Sequence, residues 1–134
     1  MNKEDKDLLI QDLCARIPYH PRIQVINQGW EGCQEGEFDT DLWMHHVDAL
    51  WFDRIEVIPY LRPLNSLTID ELEFISKECC ILPNVLPGGK IGAQMPPEAA
   101  YILINYYNKN HIDFRGLIDK GLAIAVTEEN NPYK

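Results

Sequence analysis

Apolar and polar positions fall along this chain in blocks that predict an order of elements. A first helix is expected over residues 3–17, where Ile10, Leu13, Cys14 and Ile17 stand at i, i+3, i+4 and i+7, the spacing of one apolar stripe. Asn2 suits its N-cap, Glu4, Asp5 and Asp7 lie near the positive end of the helix dipole, and Arg16 suits the last turn. Pro18, which has no N–H to donate, stops it. Loose alternation around Ile23 and Val25 predicts a strand over 22–27, ending in the turn residues Asn27, Gln28 and Gly29. The glycine-bearing acidic piece 32–41 reads as an exposed loop. Residues 41–48 read as a second strand, with Leu42, Met44 and His46 on one face and Trp43, His45 and Val47 on the other. Residues 54–60 read as a third strand, β-branched at Ile55, Val57 and Ile58 and closed by Pro59 and Pro63.

The second half is more strongly punctuated. Thr68, Ile69, Asp70 and Glu71 form a capping box, in which Thr68 accepts from the Glu71 N–H while Glu71 reaches back. Leu67 and Leu72 take the two positions of a hydrophobic staple, so a helix is predicted over 69–80. Pro83, Pro87, Gly88 and Gly89 mark a loop. Pro97 fits the first position of a further helix, along which Ala100, Leu103, Ile104 and Tyr107 repeat at helical spacing. A helical turn over 117–120 with Gly121 as a left-handed cap precedes a last strand, 122–126. The polar tail 127–134 is expected to fray unless Tyr133 docks. The pattern is α+β: an N-terminal helix, a small mainly antiparallel sheet and two further helices, in a single domain spanning 1–134.

Composition narrows the class. With 46% hydrophobic and 25% charged residues the chain can build a core, and no apolar run reaches the roughly 18 residues a membrane span needs. The charged start, Met1 to Asp7, lacks the apolar centre of a signal peptide, so a cytoplasmic location is expected. In that setting Cys14, Cys33, Cys79 and Cys80 are expected to be reduced, buried thiols, and no CxxC pair is present. The net charge of −9 is unevenly placed. Between Arg22 and Arg54 there is no lysine or arginine, while Glu31, Glu35, Glu37, Asp39, Asp41, Asp48 and Asp53 all fall there. Such a field repels phosphate backbones, which disfavours direct nucleic-acid binding and points to a basic protein partner.

Three stretches carry a resemblance. They are Asp12 to Tyr19; Pro59 to Leu64 followed by Ser66 to Glu71; and Asp113 to Ile118 with Gly121-Leu122-Ala123, ending in Tyr133-Lys134. Together they resemble a family of short uncharacterised proteins common in gut anaerobes, often in prophage-like or mobile-element contexts. His20-Pro21, where the family more often has a glycine and a hydrophobic residue, and the tail before Tyr133 depart from its pattern. The resemblance implies a context and transfers no catalytic residue.

Four constellations bear on chemistry. His45, His46 and Asp48, with His20, Cys33, His111 and Asp113 as helpers, are the candidates for a metal site, although adjacent strand residues point to opposite faces. Cys33, Cys79 or Cys80 with a histidine could form a nucleophilic pair, but no signature of such a site is present. Residues 87–92, with three glycines and Lys90, match neither phosphate-loop pattern. Trp30, Trp43, Trp51, Phe52 and Tyr60 sit beside the acidic interval, where aromatic faces and carboxylates together suit a protein interface. The preferred reading is a non-enzymatic interaction or accessory protein without a cofactor, binding through Trp30, Glu35, Glu37, Asp39, Asp41 and Trp43. A small hydrolase using the histidines with Asp48 or Asp113, and an acidic nucleic-acid mimic, are the alternatives.

Overall fold

A computed structural model of the chain describes residues 1–79 and 97–133. The 87–92 loop, Cys80 and the side chain of Cys79 lie outside the described residues. Among the described residues the fold is α+β, with four α-helices rather than three and a five-stranded, mostly antiparallel sheet.

Helix α1 (Lys3–Arg16) starts as its sequence dictates: the Asn2 side chain accepts from the Asp5 N–H at 2.7 Å. Its inward face is not the expected one. Leu9, Asp12, Leu13 and Arg16 are buried, Ile10 and Ile17 only partly, and Cys14 is exposed, against the expectation of a buried thiol. The stripe is rotated because a charged pair occupies it. Arg16 and Asp12, both fully buried, join through two bonds at 2.8 and 3.0 Å, and Arg115 adds a third to Asp12 at 2.7 Å. Opposite charges this close neutralise each other, a pattern hydropathy spacing does not register.

Strand β1 (Arg22–Asn27) forms as predicted and pairs antiparallel with β2 (Gly36–Asp41). Asn27 closes the connection. Its carboxamide oxygen accepts from the Trp30 N–H at 2.9 Å, and its nitrogen faces the carbonyls of Trp30, Cys33 and Gln34. The expected loop over 32–41 is therefore mostly strand: β2 has one half-buried apolar residue, Phe38, and its ladder to β1 replaces the hydrophobic alternation it lacks. The expected strand over 41–48 is instead helix α2 (Met44–Trp51). Val47 and Leu50, three apart, turn into the core with His46 and Ala49. A short apolar run is ambiguous between the two periods, and packing against α1 and the sheet decides it.

Strand β3 (Glu56–Pro63) is the hub. It runs antiparallel to β1 through residues 56–59, then parallel to β5 (Ile124–Ala125) at Tyr60 and Leu61, and parallel to β4 (Ile112–Asp113) at Arg62 and Pro63. Helix α3 (Ile69–Cys79) begins on the predicted capping box, with Glu71 N–H to Thr68 Oγ1 at 3.1 Å and Thr68 N–H to Glu71 Oε1 at 3.2 Å. Helix α4 (Pro97–Lys109) buries Ala99, Leu103, Tyr107 and Asn108, with Ala100 and Ile104 at the margin.

Two cores result. One joins α1 and α2 to the inner face of the sheet through Leu9, Leu13, Ile23, Val25, Val47, Leu50, Val57 and Leu61. The other joins α3, α4 and β4 through Ile75, Leu103, Tyr107 and Ile112. Arg16 couples them, donating to the Ile112 carbonyl at 2.7 Å and the Tyr107 carbonyl at 3.4 Å. The turn before β5 ends on Gly121, whose φ of +74° is the expected left-handed cap. Tyr133 docks, so the tail is held rather than frayed: its hydroxyl accepts from the Arg22 N–H at 3.0 Å and donates to the Tyr60 carbonyl at 2.7 Å. Arg22 and Tyr60 form the next rung beyond the β1–β3 ladder, so a side chain supplies a link the two backbones leave open.

Candidate binding surface

Helices α1 and α2 cover one face of the sheet, and among the described residues no element packs on the other. Residues alternate across a strand, so Arg22, Gln24 and Ile26 of β1 share that open face with Glu37, Asp39 and Asp41 of β2 and with Ile58 and Tyr60 of β3. Three cross-strand contacts order the row. Gln24 donates to Glu37 at 2.8 Å, Arg22 pairs with Asp41 at 3.1 Å, and the Tyr60 hydroxyl reaches across β1 to both oxygens of Asp39 at 3.0 and 3.1 Å. Partial burial, then the Asp39 hydrogen bond, raises the Tyr60 hydroxyl above its ordinary pKa. Tyr60 therefore stays a donor to Asp39.

β2 is the outer strand of the sheet, bonded among the described residues to β1 alone. The Leu42 N–H donates to the Pro21 carbonyl at 2.9 Å, which fixes the phase of the ladder. Hydrogen-bonded pairs alternate in an antiparallel ladder. Thr40 and Phe38 therefore bond inward to Ile23 and Val25, while the backbone N–H and C=O groups of Glu37, Asp39 and Asp41 point away from β1. The residues with outward backbone groups are the same three that carry the carboxylates.

Two of the seven acids between Arg22 and Arg54 are ion-paired: Asp41 with Arg22, and Asp53 with Lys6 of α1 at 2.8 Å. Glu31, Glu35, Glu37, Asp39 and Asp48 are exposed and make no ion pair among the described residues. Of these five, Glu37 and Asp39 stand on β2, Glu31 and Glu35 in the loop before it, and Asp48 on α2.

The expected aromatic residues do not gather into one patch. Trp30 precedes β2 and Trp43 follows it, and six strand residues at about 3.3 Å each separate them by roughly 20 Å. Trp30 is half-buried on the first core, with the Arg54 guanidinium 5.3 Å from its ring and 5.4 Å from that of Phe52. Trp43 is half-exposed, its ring 4.2 Å from His20. Glu35 lies in the loop just before β2. Gln24, which orders Glu37, carries no signal of its own in the sequence, and Tyr60 stands out there only as an aromatic residue beside the acidic interval, not as the partner of Asp39. The spacing of Glu37, Asp39 and Asp41 at every second position was their available signal.

The histidine candidates have structural partners. His45 and His46 sit on α2, not a strand, with rings 4.0 Å apart. His46 Nδ1 accepts from the Trp43 N–H at 3.0 Å, capping the helix, and burial, then the neighbouring His45, lowers its pKa to about 4. Asp48 is exposed on the same helix. Asp113 is buried and accepts from the N–H groups of Leu117 and Ile118 at 3.0 and 2.9 Å, so it caps the following turn. His111, at φ +61°, stacks on Tyr133 at 4.1 Å. Burial, then Arg16 and Arg62, lowers its pKa to about 4. It lines an open cleft of about 670 Å³ with Arg62, Ser66 and Lys109. Ser66 there donates to the Pro63 carbonyl at 2.6 Å, and Arg62 is held by Glu71 at 2.7 and 3.1 Å. Among the described residues no three His, Cys, Asp or Glu side chains are grouped to hold a metal ion, and no helix is long and apolar enough to cross a membrane. Searches against known protein families, curated proteins and solved structures found no match to this chain.

Proposed function

We propose that this chain is a non-catalytic interaction protein whose open sheet face, centred on β2, binds a basic protein partner. The observation that carries the reading is the row Glu37, Asp39 and Asp41, all exposed on one face of an ordered outer strand, with a basic side chain paired to Asp41 alone. Arg22, Gln24 and Tyr60 hold these carboxylates in place, so less side-chain freedom is lost when a partner's cations arrive. The accessory role in a mobile element implied by the family resemblance is part of this proposal. The nucleic-acid-mimic reading has less support, since β2 offers three carboxylates in one line and Arg22 neutralises one of them.

The test uses a lysine-rich peptide labelled for fluorescence anisotropy, titrated with the full chain at low and at physiological salt. Binding should weaken as the Debye length falls to about 8 Å. The pair Glu37→Gln and Asp39→Asn, which removes charge while keeping shape, should abolish most of it. Binding unchanged by both salt and the double substitution defeats the proposal.

A further inference from the structure

We infer that the partner binds as an extended segment, adding an antiparallel strand to the free edge of β2 with basic side chains at alternate positions. This inference rests on the proposed function and specifies how it is carried out.

The first argument is the unpaired backbone. Glu37, Asp39 and Asp41 direct their N–H and C=O groups away from β1, and no described residue bonds to them. An exposed edge of this kind is a template for another strand, and side chains then select which strand is accepted. The second argument is the coincidence of the two features. In an antiparallel pairing, residues directly opposite across a hydrogen-bonded rung share a face. Each partner residue bonded to Glu37, Asp39 or Asp41 therefore places its side chain beside that carboxylate, on the open face. Only an incoming chain with the same two-residue period brings a cation to each.

Charge also decides between occupants. A second copy of this chain pairing through its own β2 would set carboxylates against carboxylates, and directly opposed like charges are unfavourable. A basic strand meets Glu37 and Asp39, neither of which has an ion pair among the described residues. Phe38 and Thr40 face the other way, and Phe38 packs on the first core, so the strand is anchored from behind when a neighbour is added.

The experiment uses short peptides with lysine at alternate positions and valine or threonine between, titrated against the full chain. One derivative is N-methylated on the lysine amides, which would face β2. An isomer is N-methylated on the intervening amides, which would face solvent. Charge, composition and length are the same in both. The unmethylated peptide and the solvent-facing isomer should bind alike, and the lysine-amide isomer should bind about tenfold or more weakly, having lost its donors to the edge. Hydrogen exchange at the Glu37, Asp39 and Asp41 amides should slow when the unmethylated peptide is added. Equal binding by both isomers, with those amides exchanging as before, overturns strand addition and leaves the basic-partner reading standing. The reverse ranking of the isomers overturns the antiparallel arrangement. No binding by the unmethylated peptide removes both proposals.

Discussion

Replacing Arg16 with methionine tests the account of the two cores directly. The guanidinium is fully buried and bonds Asp12 at 2.8 and 3.0 Å, the Ile112 carbonyl at 2.7 Å and the Tyr107 carbonyl at 3.4 Å. Methionine fills much of the volume but removes every donor. Asp12 is left as a buried carboxylate with Arg115 as its remaining cation, at 2.7 Å. Breaking a buried pair by removing one partner costs about 3–5 kcal/mol. The surviving Arg115 contact places Arg16→Met near the lower end, about 3 kcal/mol. Against a typical domain stability of about 5–15 kcal/mol, that is a large fraction. Urea unfolding followed by tryptophan fluorescence should show a lower midpoint with an unchanged slope. The double variant Asp12→Leu, Arg16→Met should recover about 1–2 kcal/mol, because the stranded charge is gone and Arg115, partly exposed, can turn to solvent. A loss below about 1 kcal/mol in the single variant, or no recovery in the double, would show that this cluster does not hold the cores together.

Three further outcomes are expected. Tyr133→Phe leaves the Arg22 N–H and the Tyr60 carbonyl without their shared partner; it should cost about 1–3 kcal/mol and speed exchange at the Arg22 amide, and wild-type stability would contradict it. His46 and His111 both titrate near 4 in the fold against about 6.5 unfolded, so the unfolded chain takes up protons first as pH falls. Their contribution is complete above about pH 6.5 and is lost progressively down to about pH 4. His111→Asn, which tolerates the left-handed backbone, should flatten the fall in urea midpoint between pH 7 and pH 4, and an unaltered profile would count against it. Burial alone would raise the Glu71 pKa, but Arg62, the Thr68 N–H and the Tyr106 hydroxyl outweigh it and hold the carboxyl at about 2. Its stabilisation is present above about pH 4.5 and disappears as pH falls through about 2; Glu71→Gln should cost roughly 1–2 kcal/mol at pH 7, and a smaller loss at pH 7 than at pH 2 would be inconsistent.

The features legible in the sequence were those whose causes are local. Asn2, Thr68 with Glu71, and Gly121 satisfy backbone groups within a few residues, so they mark the starts of α1 and α3 and the turn before β5. For β2 and α2 the local pattern misleads, because their causes are distant. Ladder bonds to β1 make 36–41 a strand despite its polarity, and core contacts of Val47 and Leu50 make 44–51 a helix. Hydropathy spacing misplaces the inward face of α1 because Asp12 and Arg16 count as polar singly and are compatible with the core only together. For the candidate surface, the acidic bias is legible in the sequence, but the two-residue period of Glu37, Asp39 and Asp41 gains meaning only once 36–41 is a strand rather than the expected loop. The direction of the β2 backbone is not legible, since one bond from Leu42 to Pro21 fixes it, and Gln24 and Tyr60 reach their acids only across folded strands.

The position of β3 has a consequence for how the chain acquires its shape. A ribosome delivers β1, β2 and β3 early, and the hairpin with its second antiparallel neighbour can assemble while later residues are still unmade. The downstream half of β3 then waits for β4 and β5, and the rung between Arg22 and Tyr60 for a tyrosine that follows them by 111 and 73 positions. Bringing ends together over such separations is entropically slow. Until β4 and β5 are made, the 60–63 half of β3 lacks the neighbours they supply on its two sides. Truncation before Tyr133 should leave β4 and β5 in place yet open the rung between Arg22 and Tyr60.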